Sequence, residues 1–358
     1  MTTASFMLRD TGSLWHDEAP TAASLRPLES KSTPRTLPSP NPPPPTAHLQ
    51  KVSVIVVNYN AGMLLLECVE AALGQAEQVI VVDNHSSDLS MQWLSERFPQ
   101  HPRLVTQLVS DNLGFSVGCN QGLQHATQPH ILFLNPDCIL GNDSLARMVE
   151  VLQGDTTIGM VGGLLANLDG TEQGGGRRAV PTPWRSFVRA FGLHRLSNRW
   201  PRLFFDFYLH TQPLPKTPIE VEAISGALML VSRAAVEDVG LWDESYFLHC
   251  EDLDWCMRFR QKHWKILFVP DAPVVHHLGH SSRVRPYFVE WHKHKGMIYF
   301  YRKFFQHQYP GILMWLVDAG VWLRFGLVVV RHFFSRVVGR LKAWLQGHGH
   351  GNRHGDGS

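Results

Sequence analysis

Four short segments stand in a fixed order between Val52 and Arg258, and together they restrict the chain to an open α/β sheet with a ligand-binding edge. They are 52–60 (VSVIVVNYN), 81–88 (VVDNHSSD), 133–137 (FLNPD) and 249–258 (HCEDLDWCMR). Each of the first three is an apolar strand run that ends in amides and carboxylates. The fourth is an acidic pair entering a helical pattern. A continuous β-branched run such as 52–57 suits a strand covered on both faces. Polar groups at the carboxyl ends of such strands lie where open α/β sheets take their ligands.

The intervening texture agrees with that sheet. Leu65, Val69, Ala72 and Leu73 recur at helical spacing, which predicts a helix over 64–73. Strands are expected at 79–82, 104–109 and 131–134, and helices at 90–98, 118–125 and 145–152. Strand and helix alternate, so the sheet is expected to be doubly wound and mostly parallel. Residues 170–218 are irregular: GGGRR at 174–178 is followed by Pro181, Pro183 and Trp184. A segment of that length inside a compact domain is either a functional loop or an insertion without consequence. Regular structure resumes with a strand at 222–232 (EAISGALMLVS) broken by Gly-Ala, a helix at 255–262 and a strand at 266–269.

The strand ends carry the chemistry. Backbone groups at Asn58, Tyr59 and Asn60 offer a surface on which a base or ribose can lie. A carboxylate at Asp83 accepts hydrogen bonds from a pyrimidine imide or from ribose hydroxyls, while 86–88 read as a helix cap. In 111–120 (DNLGFSVGCN) two glycines permit close backbone approach to a ligand, although a tight turn with a cap accounts for them equally. This is neither GxGxxG nor a Walker loop. Residues 135–137 fit an Asn-Pro-Asp turn as well as a site, and Glu251-Asp252 fits an acidic helix start as well as a catalytic pair. Asp254 and Arg258, four apart, read as a supporting ion pair. His276 and His277 are ligand candidates or solvated loop residues.

In this order the segments resemble the family 2 (GT-A fold) inverting glycosyltransferases, particularly the bacterial rhamnosyltransferase-like branch, over residues 52–282. Residues 112–120 (NLGFSVGCN) follow the family's N-x-G-F-x-x-G-x-N, 135–137 stand in the place of DxD, 243–258 follow D-E-x-F-F-x-x-x-E-D-x-D-[LW]-x-x-R, and 276–281 (HHLGHS) follow H-x-x-G-x-S. The resemblance implies a Rossmann-like nucleotide half joined to an acceptor half, with a helical C-terminal extension. It implies nucleotide-sugar contacts at Val57, Asn58, Tyr59, Asp83, Asn112, Gly114, Asn120 and Asn135. It implies Mg²⁺ or Mn²⁺ held by Asp137 and His276, and Asp252 as catalytic base with Glu251 beside it. Asn135 departs from the family's first Asp, which leaves strict metal dependence open. The implied donor is a dTDP- or UDP-linked sugar, with rhamnose the first expectation. The implied acceptor is a hydroxyl of a cell-surface glycan or lipid-linked saccharide.

Length, charge and cysteines set the frame. The 358 residues, 44% hydrophobic, suffice for a large core, and a net charge of +2 gives no field for nucleic acid. The five cysteines form no CxxC pair, which suits a reducing compartment. Residues 1–20 hold no continuous apolar segment and read as no signal peptide. The expected organisation is a Pro-rich disordered leader (1–50), a catalytic domain (51–285), a helical, basic and aromatic membrane-associating extension (286–346) and a disordered tail (347–358). Residues 312–330 are apolar except for Asp318 and Arg324. Those charges favour a helix lying on an anionic membrane surface, with Arg331, Arg336, Arg340 and Lys342 toward head groups. A spanning helix and a helix packed on the protein's own core are the alternatives. The protein is expected at the cytoplasmic face of the inner membrane, in peripheral contact with it.

Two other classes compete. A sugar nucleotidyltransferase needs a glycine-rich triphosphate loop with basic residues near the first strand, and no Lys or Arg occurs between Tyr59 and Arg97. A non-catalytic glycosyltransferase-like scaffold gains from Asn135 and loses from the intact Glu251-Asp252 pair.

Overall fold

The computed structural model describes residues 48–197, 199–277 and 286–348. The leader through residue 47, the tail from 349, and His280 and Ser281 lie outside the described residues.

Strand periodicity explains the β-branched runs. In β1 (Gln50–Asn58), Val52, Val54 and Val56 enter one apolar cluster while Ile55 and Val57 enter another. β2 (Ala76–Asp83) repeats this with Val79 and Val81 against Ile80 and Val82. Beyond the short β3 (Leu104–Leu108), β4 (His130–Leu134) does so again with Leu132 and Leu134 against Ile131 and Phe133. Alternate side chains point to opposite faces, so each face needs its own cover. The helices supply it. α1 forms at Leu64–Leu73 as expected and buries Leu65, Val69, Ala72 and Leu73 in one cluster. α2 (Ser90–Arg97) adds Leu94 to that cluster. α3 (Phe115–His125) lies on the other face, where Cys119 joins the second cluster.

After β5 (Cys138–Leu140), α4 (Ser144–Gly154) and β6 (Ile158–Ala166), the sheet is completed by late strands. Two short ones, β7 (Arg177–Arg178) and β9 (Ala223–Ile224), form a separate ribbon, with β8 (Ile219–Glu220) between them in sequence. With β10 (Leu228–Ser232) and β11 (Lys265–His276) the main order is β3-β2-β1-β4-β10-β6-β11-β5, and β8 pairs with β11. The long ladders are parallel: β1 with β2 and β4, β2 with β3, and β6 with β11. β10 runs antiparallel between β4 and β6. Four carboxyl or amino ends thereby converge near Asn58, Asp83, Asn135 and Leu228.

Among the sheet strands, three departures from the sequence reading have a clear physical cause. β6, absent from it, is the glycine-containing run IGMVGGLLA. A Cβ at Gly163 would stand 2.5 Å from the Ala272 carbonyl oxygen, so crowding by β11 demands glycine in a strand that then looks like a loop. The expected strand 222–232 is two strands in different sheets, separated by a turn at 225–227. β11 does not stop at Val269; it shifts register between Val269 and Pro273, which accommodates both prolines, and continues to His276.

The helices after β10 pack on the second cluster. α5 (Pro183–Ala190) gives order to part of the irregular segment, and α6 (Arg233–Val239) and α7 (Glu251–Gln261) follow. The region set apart at residue 286 is not uniform. α8 (Pro286–Phe305) places Ile298, Phe300, Tyr301 and Phe305 in the core. α9 (Gly311–His348) places Met314 and Val321 there among its described side chains, and leaves Ile312, Trp315, Leu316, Leu323 and Leu327 exposed.

Candidate active site

Strand register builds the first part of the site. Asn58 stands opposite Asp83, and its Nδ2 donates to Asp83 Oδ1 at 2.8 Å and to the Ser86 and Ser90 hydroxyls at 3.0 and 2.9 Å. Asn58 Oδ1 is buried without a hydrogen-bond partner among the described residues. Asp83 Oδ2 accepts from the Ser86 amide at 3.1 Å. Val57, Asn58 and Asp83 are all buried, so Tyr59 is the partly exposed member of this group. The cap expected at 86–88 is mostly a strand tie. Ser86 Oγ accepts the Asn60 amide at 3.0 Å, and Asp88 accepts the amides of Gly62 and Ser90 at 2.9 and 3.1 Å. Only Asp88 reaches the start of α2.

The 111–120 loop is organised by Asn84, a residue that sequence reading passed over although it follows Asp83 directly. Asn84 Nδ2 donates to Asn112 Oδ1 and to the Gly114 carbonyl at 3.1 and 2.9 Å, and its Oδ1 accepts the Leu113 amide at 3.2 Å. The two glycines approach protein. A Cβ at Gly114 (φ +95°) would meet the Phe247 carbonyl oxygen at 2.6 Å, and one at Gly118 would meet Val57 Cγ1 at 2.7 Å. Asn120 is also engaged internally: Nδ2 donates to the Trp242 carbonyl at 3.0 Å and to Glu244 at 2.8 Å, and Oδ1 accepts the Trp242 amide at 3.0 Å. These contacts lock α3 to the segment that leads into the acidic pair.

That pair follows a strained turn. His249 and Cys250 are left-handed, with φ of 69° and 72°, a conformation that costs on the order of 1–3 kcal/mol for a non-glycine residue. Asp252 Oδ2 accepts from Arg178 Nη2 and from the Gly226 amide, the latter at 3.1 Å. Glu251 is 7% exposed, and its Oε2 has no hydrogen-bond partner among the described residues. Burial, reinforced by the Asp252 charge, pushes the Glu251 carboxyl up to about 8. Asp254 is fully buried and accepts from Arg258 Nε at 2.7 Å, Lys303 Nζ at 2.6 Å and Tyr246 OH at 3.1 Å, so the expected helical ion pair exists and α8 adds a second cation.

The turn at 225–227 joins the halves. Gly226 donates to Asp252, and the neighbouring Ala227 carbonyl accepts the Asn135 amide at 3.0 Å. The acidic pair and the 135–137 segment therefore flank one turn. Arg178, Gly226 and Ala227 gave no signal in sequence beyond the GGGRR run and the Gly-Ala break.

A second cluster lies alongside. Antiparallel pairing of β5 with β11 puts His276 opposite Cys138. His276 Nε2 then stands 3.3 Å from Asp137 Oδ1, both residues being buried. His276 Nδ1 contacts Gln173 Oε1 at 2.6 Å, and Gln173 Nε2 donates to Asn167 Oδ1 at 3.2 Å. An amide oxygen only accepts, so Gln173 assigns the proton to Nδ1 and leaves the Nε2 lone pair toward Asp137. Two ligands each about 2.1 Å from a cation and at right angles stand about 3 Å apart, so this carboxylate and imidazole fit one divalent ion. Cys138 completes the cluster geometrically. Burial, with Asp137 beside it, pushes its thiol far up, and a protonated thiol is a poor ligand.

Residues 53–240 match the family described as glycosyl transferase family 2. The match ends before Asp252 and His276. N-acetylglucosaminyl-diphospho-decaprenol L-rhamnosyltransferase of Mycobacterium tuberculosis is 28% identical over 291 residues, covering 77% of this chain and 92% of its own. Rhamnosyltransferase WbbL of Escherichia coli is 26% identical over 168 residues, covering 44% of this chain and 56% of its own. Among solved structures, mannosyltransferase PcManGT from Pyrobaculum calidifontis, in complex with GDP-Man and Mn²⁺, aligns at a TM-score of 0.48 with 18% identity, over 80% of this chain and 74% of that one. That last likeness is too loose to carry an argument.

Proposed function

The chain belongs to glycosyl transferase family 2 and is a glycosyltransferase, and on that premise we propose that it inverts the anomeric carbon of a nucleoside-diphosphate sugar as it passes the sugar to a lipid-linked saccharide. The observation that carries this reading is the Asp252 carboxylate, held by Arg178 and the Gly226 amide one residue from the Ala227–Asn135 contact. Arg178 and Gly226 fix one carboxylate oxygen. Burial and the neighbouring carboxylate favour the neutral form of Glu251 beside it. Asp252 takes the proton of the acceptor hydroxyl as that oxygen bonds to the anomeric carbon. The bond from that carbon to the diphosphate breaks on the opposite face, and the electron pair leaves with the diphosphate.

The nucleotide belongs at the β1, β2 and β4 ends. Tyr59 and the edges of Asp83, Asn112, Gly114 and Asn135 are the contact candidates, with Asn58, Asn84 and Asn120 shaping the pocket from within. Asp137 and His276 would hold Mg²⁺ or Mn²⁺, which when bound neutralises charge on the diphosphate. Rhamnose is the proposed sugar and dTDP its carrier, supported by the relatives named rhamnosyltransferase. A saccharide on a polyprenyl diphosphate is the proposed acceptor, supported by the name of the mycobacterial relative. Among the described residues one helix, Gly311–His332, is long and apolar enough to cross a membrane. We assign it to the surface of the cytoplasmic leaflet.

Two measurements test the reading. Thermal shift with UDP, dTDP, GDP and CMP, each with and without Mn²⁺, is expected to single out dTDP and to depend on the metal; no shift with any nucleotide overturns the proposal. Asp252→Asn is expected to keep the nucleotide shift and lose transfer by roughly a hundredfold or more. Wild-type turnover by that variant removes Asp252 from the role of base.

A further inference from the structure

α5 and the residues after it form an exposed aromatic surface that the glycosyltransferase reading does not use. Trp184, Phe187 and Phe191 follow one another at helical spacing, with Trp184 and Phe187 stacked at 5.5 Å and Phe187 and Phe191 at 4.5 Å. They are 45%, 45% and 69% exposed, while Val188, at the edge of the same face, is fully buried. The Trp184 indole donates to the Leu203 carbonyl at 2.8 Å, which joins exposed Trp200 and Leu203 to the same patch. The stretch 179–205 contains five arginines and no acidic residue. Arg185 and Arg189 pair with Glu222 and Asp206, and Arg195, Arg199 and Arg202 are exposed.

We propose that this patch is a second membrane-docking element, seating its aromatic ladder at the head-group boundary of an anionic bilayer. Aromatic rings with arginines around them match that boundary in both polarity and charge. The patch is also tied through α8 to α9, whose outer residues are exposed. Ser186 of α5 accepts a 2.7 Å hydrogen bond from Tyr301 of α8, and α9 packs on α8 through Trp291 against Trp322 and Phe325. Only four residues separate Arg178, on Asp252, from the start of α5 at Pro183. The ladder thus sits where a lipid-borne acceptor would reach the base; this placement, and only this, rests on the proposed function.

The test is co-sedimentation of the full chain with phosphatidylcholine vesicles and with phosphatidylcholine–phosphatidylglycerol vesicles, without substrates. The variant Trp184→Ser/Phe187→Ser/Phe191→Ser is expected to lose roughly tenfold or more in partition to the anionic vesicles while α9 is intact. Arg195→Glu/Arg199→Glu/Arg202→Glu changes only exposed side chains, and is expected to weaken binding to anionic vesicles and leave neutral ones unaffected. Unchanged partition by both variants overturns the proposal. So does unchanged partition together with loss of self-association by the aromatic variant, which would make the patch an interface between copies. Because vesicle binding needs no turnover, its failure is separable from failure of the transferase reading, which thermal shift and Asp252→Asn address.

Discussion

At the residue scale, neighbouring carboxyls in the site have opposite fates. Asp252 has a guanidinium and a backbone amide; Glu251 has burial and the Asp252 charge. A carboxyl raised from about 4.5 to about 8 on folding makes the native state hold its proton after the unfolded chain has lost it. Stability is therefore lost as pH rises through that window, and the full cost is present above it. Glu251→Gln removes the titration. Its melting temperature is expected to match wild type near pH 4.5 and to exceed it increasingly toward pH 8–9, by about 2–4 °C per kcal/mol recovered. Melting curves for both proteins across this range check it, and a constant difference between them would refute the assignment. Legibility at this scale follows sequence distance. Asp83, Asp137, Glu251 and Asp252 stand out as candidates because each sits in a short contiguous segment. Arg178 meets Asp252 across 74 residues and Gln173 meets His276 across 103, and no local pattern announces such contacts.

At the element scale, α8 seats the strained turn that precedes the acidic pair. A Cβ at Gly296 would stand 2.8 Å from the His249 carbonyl oxygen and 3.6 Å from Cys250 Cβ. Two effects oppose each other in Gly296→Ala. Helix propensity favours alanine by about 1 kcal/mol. Contact with a backbone oxygen held in a left-handed turn costs about 1–3 kcal/mol. We expect the second to win, so the variant melts lower than wild type and transfers sugar more slowly at unchanged nucleotide affinity. A higher melting temperature with full activity would show that the turn yields freely. The same scale explains which elements the sequence disclosed. β1, β2 and β4 are visible because both faces are buried and both need β-branched or aliphatic residues. β6 and the far half of β11 are hidden because crowding between them requires Gly163, while Pro270 and Pro273 interrupt β11, and all three imitate a loop.

At the scale of the whole molecule the proposed place of α9 on a leaflet competes with a spanning helix. Its length permits spanning, but its contacts oppose it. Asp318 is held by Arg302 of α8 at 2.5 Å, and Met314 and Val321 sit in a core shared with Phe300, Tyr301 and Phe305. To cross a bilayer, α9 would have to leave that seat and carry Asp318 and Arg324 inward, at about 2.5–3.5 kcal/mol each near the centre. Lying on the leaflet requires neither. Leu316, Leu323 and Leu327 then face the acyl boundary while the helix stays on α8. Alkaline carbonate treatment of membranes bearing the full chain is expected to release it, and Leu316→Glu/Leu323→Glu/Leu327→Glu to weaken membrane binding at wild-type melting temperature, leaving only the share contributed by the aromatic patch at α5. Retention after carbonate would mean that α9 abandons α8 in the membrane. In that case the Arg302→Ala variant, which frees Asp318, would leave membrane retention unchanged. If α9 keeps its seat, the same substitution loosens the α8–α9 pair, and the melting temperature falls while peripheral binding persists.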